Sequence, residues 1–80
     1  MYIVYIIESL QDPAKHYVGF TQDLSKRLSA HNAKRSLFSK KYAPWEVVCQ
    51  VSFKDETKAR KFERYLKSGS GFAFLKRRLL

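Results

Sequence analysis

The sequence predicts an α+β domain, a small three-stranded antiparallel sheet flanked by helices in the order β-β-α-β-α-α. Three observations carry this. Two strand-like segments, residues 2–8 and 16–20, stand close together with Asp12-Pro13 between them, a spacing that suits an antiparallel hairpin. Val47, Cys49, Val51 and Phe53 alternate with Val48, Gln50 and Ser52, the period of a half-buried strand. Elsewhere apolar residues return every three or four positions, behind residue types that open helices. The 80 residues are read as one domain, residues 1–80.

The elements follow in order. Residues 2–8 read as a strand covered on both faces, because residues 2–7 are apolar without alternation. Residues 9–15 are polar and turn-forming, and residues 16–20 pair back as the second strand. Thr21 or Asp23 caps a helix whose apolar positions are Leu24 and Leu28 and which ends near Asn32. Residues 32–46 are read as a long basic and aromatic connection with Lys34, Arg35, Lys40 and Lys41 among Leu37, Phe38, Tyr42 and Trp45; Ala43-Pro44 resists helix. After the period-2 strand, Asp55 caps a helix with Ala59, Phe62 and Leu66 inside, and Gly69 is expected to stop it. Residues 71–80 read as a last short helix with Phe72, Leu75 and Leu79 on one side.

Composition narrows the function. Sixteen Lys and Arg against seven Asp and Glu give a net charge of +9 and a pI near 9.9, the electrostatic footprint of a nucleic-acid binder. From Lys58 onward Glu63 is the one acid. Cys49 is the one cysteine, which excludes an internal disulfide and a cysteine metal cluster. The opening apolar run is too short for a membrane span and lacks a signal peptide's basic start, so a cytoplasmic protein is expected.

At about 100° per residue, His31 falls on the apolar stripe of the first helix and Arg27, one turn earlier, at its edge. On the later helix Glu63 flanks the buried stripe while Arg60, Lys61 and Arg64 point away. Judged singly, each has an ordinary reading: His31 as a satisfied core histidine, Glu63 as an i,i+4 ion pair with Lys67, Tyr5 and Tyr17 as strand packing.

Taken together these residues resemble the GIY-YIG nuclease superfamily, and most of all its small stand-alone bacterial members. Ile3-Val4-Tyr5 stands for the first triplet, with Ile in place of Gly, and Tyr17-Val18-Gly19 for the second. Arg27 and His31 follow as R-x-x-x-H, and Glu63 lies in a stretch similar to the family's metal-binding helix. The resemblance implies a metal-dependent endonuclease acting on DNA, with one divalent ion, Mg²⁺ or Mn²⁺, on Glu63 and Arg27 clamping the phosphate. It implies a tyrosine as general base, Tyr5 or Tyr17, with His31 orienting it or sharing the proton. Two departures stand out. Ser68-Gly69-Ser70-Gly71-Phe72 has no Asn where many relatives carry one, and Phe20 stands where some repair relatives have Lys.

The alternatives are a basic nucleic-acid-binding module without catalysis, and a subunit that a protein partner targets. In the first, Lys34, Arg35, Lys40, Lys41 and the tail Lys76-Arg77-Arg78 bind phosphates while Phe38 or Trp45 stacks on bases.

Overall fold

A computed structural model describes residues 1–33 and 37–80. The expected elements appear in the expected order: β1 (Tyr2–Ser9), β2 (His16–Thr21), α1 (Leu24–Asn32), β3 (Trp45–Phe53), α3 (Glu56–Leu66) and α4 (Gly69–Arg78). One is added. The stretch read as connection holds a short helix, α2 (Leu37–Tyr42). It stops at the residue before Ala43, as Pro44 requires of the residue preceding it.

The sheet order is β2-β1-β3, antiparallel throughout. The central place of β1 explains its unbroken apolar run. Val4, Tyr5, Ile6 and Ile7 are all 2% exposed or less. Val4 and Ile6 pack on one face with Ala59, Leu66 and Leu75 of α3 and α4. Tyr5 and Ile7 pack on the other with Ala43, Trp45 and the α1 residues Leu24 and Leu28. Helices therefore cover both faces, and β2 forms an edge.

The alternation in β3 hides a change of face. Ile6 pairs with Cys49 but Ile7 with Val47, so Val48 is an extra residue in a bulge. Cys49 and Phe53 join the cluster under α3, whereas Val47 and Trp45 join the cluster under α1.

Three helices begin on side-chain caps. Asp23 Oδ1 accepts the Lys26 N–H at 3.0 Å, Asp55 Oδ1 accepts Thr57 N–H at 2.8 Å, and Ser68 Oγ accepts Gly71 N–H at 3.2 Å. The first settles the choice between Thr21 and Asp23. The last corrects the expectation for Gly69, which starts α4 and does not stop α3. Only Lys67 and Ser68 separate the two helices. The sharp reversal presses Gly71 onto the backbone of α3, where a Cβ would overlap the Tyr65 carbonyl and stand 2.8 Å from the Leu66 Cα. A second correction concerns Phe72, which is 54% exposed and not on the inner side of α4; Leu75 is buried there. Among the described residues no helix is long and apolar enough to cross a membrane.

The two α4 glycines are expected to respond oppositely to alanine. Gly71→Ala must move backbone and should cost about 2–3 kcal/mol in urea unfolding. Gly69 has open space where a Cβ would stand. Gly69→Ala should leave stability unchanged or raise it by up to about 1 kcal/mol.

Candidate active site

The outer edge of β2 is where elements from the two sheet faces meet. Here α1 reaches round from one side and α3 from the other. Between them lies a groove of about 420 Å³ lined by Tyr17, Phe20, Thr21, Gln22, Arg27, Arg60 and Glu63. Tyr17 rises from β2, Arg27 descends from α1, and Glu63 with Arg60 comes from α3. A second hollow of about 250 Å³ adjoins it, with Thr21 and Arg27 shared and Asp23, Lys26 and Ala30 beyond. Arg27 is exposed, and no ion pair holds its guanidinium among the described residues.

Tyr5 lies behind this groove. Its cross-strand partner is Gly19, and a Cβ on Gly19 would overlap the Tyr5 phenol, with ring carbon Cε1 2.7 Å away. The missing side chain lets the Tyr5 ring cross β2. Its hydroxyl forms a buried hydrogen bond of 3.0 Å with His31 Nε2. The His31 ring sits 5.0 Å from the Tyr17 ring and 6.4 Å from that of Trp45. Asn32 fastens the end of α1 to β3: its Nδ2 donates to the Trp45 carbonyl at 3.2 Å and its Oδ1 accepts the Trp45 N–H at 2.6 Å.

These surroundings fix the charge of the inner pair. Burial pushes the Tyr5 phenol up to about 12; Tyr17 and Glu63 push the same way and Arg27 opposes. Burial, then the Arg27 charge, holds His31 below its ordinary value. Both groups are therefore neutral at neutral pH.

Glu63 does two things. It lines the groove, and its Oε2 accepts from Lys67 Nζ at 3.1 Å. The same ammonium lies 5.7 Å from the Tyr17 ring centre, so the pair sits at the groove and not away from it. The Lys67 side chain is 50% exposed, and such a pair is worth about 0.5 kcal/mol or less. Among the described residues no three of His, Cys, Asp and Glu gather to hold a metal. One carboxylate facing a wet groove fits Mg²⁺, which binds through one or two carboxylates and keeps its waters. It does not fit a cation that needs a protein cage.

Of the residues expected together, Tyr17, Arg27 and Glu63 line one groove, with Tyr5 and His31 directly behind. Lys40 and Lys41 are exposed on α2 and do not line it; Lys41 Nζ lies 5.4 Å over the Tyr42 ring. Lys34, Arg35 and the Phe38 side chain lie outside the described residues. Trp45 is 2% exposed and so is not a platform for bases. Arg60, expected to point away, enters the groove, because β2 wraps Phe20 beneath it. Its signal in the sequence is its place one turn before Glu63. Gly19 stood in the sequence as the end of the second triplet, and the register that sets it opposite Tyr5 shows what its missing side chain does.

Compared with known families, residues 1–76 match the GIY-YIG catalytic domain. Among curated proteins nothing matches.

The Tyr5 value sets an alkaline limit on stability. Its folded value, about 12, lies above the unfolded value near 10, so the unfolded chain loses the phenol proton first. The stabilisation is complete below pH 10 and disappears as pH rises through 12, a loss of about 2–3 kcal/mol. Urea unfolding across this window should show the slope in the wild type and lack this component in Tyr5→Phe.

Proposed function

The chain belongs to the GIY-YIG catalytic-domain family, whose members are generally endonucleases, and from that premise we propose that it is a metal-dependent endonuclease that hydrolyses phosphodiester bonds in DNA. The observation that carries this reading is one groove lined by Tyr17, Arg27 and Glu63 in a chain of net charge +9. Binding alone has no use for an inner carboxylate in a basic groove. Cleavage has use for a phosphate clamp, a proton acceptor and a metal ligand.

The roles divide by position. Arg27 offers an exposed planar fork to the scissile phosphate and neutralises the charge that grows on it. Tyr17, as phenolate, takes the proton of the water that attacks phosphorus, while the bond from phosphorus to the leaving oxygen breaks and that oxygen takes a proton from solvent water. Tyr5 is unsuited to that step: it has no exposure, its hydroxyl is bound to His31, and its phenol stays protonated to about pH 12. Tyr5 and His31 instead hold the Tyr17 ring and α1 in place. Glu63, whose carboxylate now accepts from Lys67, is the residue that would hold the divalent ion, Mg²⁺ or Mn²⁺. When bound, that ion supplies Lewis-acid stabilisation of the phosphoryl oxygens.

Nicking of flapped, branched and single-stranded DNA with Mg²⁺ or Mn²⁺ tests the proposal. Glu63→Ala and Arg27→Ala are each expected to lower the rate by at least about 10²-fold. A wild type that cuts none of these substrates faster than Glu63→Ala contradicts it.

A further inference from the structure

Arg60 enters the groove from α3 and Arg27 from α1, and Tyr17 and Glu63 line it with them. Unlike Arg27, it is held. Its guanidinium lies 4.3 Å over the Phe20 ring, and that ring stacks on Tyr2 at 6.2 Å with 17° between planes. Its Nε donates to Glu56 Oε2 at 2.8 Å. One aromatic face and one carboxylate thus use its ring-like plane and its Nε, and leave the terminal Nη groups for the groove. Arginine stacked in this way is ordered in advance, so little side-chain freedom remains to be lost on binding a phosphate.

We infer that Arg60 is a second phosphate-binding residue, which takes a backbone phosphate flanking the one at Arg27. The inference rests on the nucleic-acid reading above and deepens it. Two forks on opposite walls match two phosphates of one strand better than one. A groove of about 420 Å³ has room for such a segment. The substrate is then a polynucleotide strand running across the β2 edge, and a lone phosphodiester fills only half of the site.

Binding without metal separates this inference from the claim of catalysis. The probe is a short DNA duplex in EDTA, with affinity measured against salt concentration. Each phosphate contact contributes a slope of about 0.9 in log K against log salt. Arg60→Gln and Arg27→Gln are each expected to lower the slope by about 0.9, and the double variant by about 1.8. Lys61→Gln removes a charge from exposed α3 surface outside the groove and is the control for net charge. The Arg60 side chain is about half exposed, so its replacement leaves the core intact, which circular dichroism checks. The inference is overturned if Arg60→Gln changes the slope no more than Lys61→Gln, if the double variant loses no more than Arg27→Gln alone, or if wild-type binding does not vary with salt. Salt-dependent, additive losses in a protein that never nicks DNA support the inference while the nuclease reading fails.

Discussion

The site depends on one residue that is nearly absent. Gly19 has no side chain, and Tyr5, its partner on the central strand, occupies the space. The ring crosses β2 and reaches His31 on α1. That hydrogen bond ties β1 to α1 across β2 through a buried polar contact, where an unpaired hydroxyl would cost about 1–3 kcal/mol. Once His31 is anchored, α1 cannot rotate without breaking it. Arg27 lies one turn earlier on the same helix and so is delivered to the groove. Any larger residue at position 19 displaces Tyr5 first, and through it the helix.

The opposite wall is placed by ordinary packing. Ala59 and Leu66 bury one stripe of α3 under β1, and residues 60 and 63 lie at the margin of that stripe. Because helices cover both faces of a sheet only three strands wide, they approach each other at an edge. The groove is the gap where they meet. Its charge follows from which helix margins face it: two arginines and one glutamate in the lining, and Lys67 bound to that glutamate.

Much of this was legible from periodicity. The unbroken apolar run of residues 2–7 marked a strand covered on both faces, and helical angles put His31 inward and Glu63 at the margin. What escaped has physical reasons. Residues of one parity in β3 look like one face, and a bulge at Val48 has no signal in composition. A helical wheel gives direction from its own axis but not what stands opposite, so Phe20 beneath Arg60 was invisible. Gly69 and Gly71 look alike as helix breakers, and only the backbone of Tyr65 and Leu66 distinguishes them. Trp45 among basic residues looked like a stacking platform, but the Asn32 side chain pins its backbone inside.

The central claim is that the two tyrosines differ in kind: Tyr17 handles the proton and Tyr5 holds the scaffold. Single-turnover nicking by Tyr17→Phe and Tyr5→Phe, each at saturating metal and with its fold checked, tests it most directly. Tyr17→Phe is expected to lose about 10²–10⁴-fold in the rate of cleavage. Tyr5→Phe, which keeps the ring over Gly19, is expected to retain a rate at least about tenfold above that of Tyr17→Phe. A Tyr17→Phe protein that cuts as fast as wild type, or a Tyr5→Phe protein that is the more damaged of the two, contradicts it.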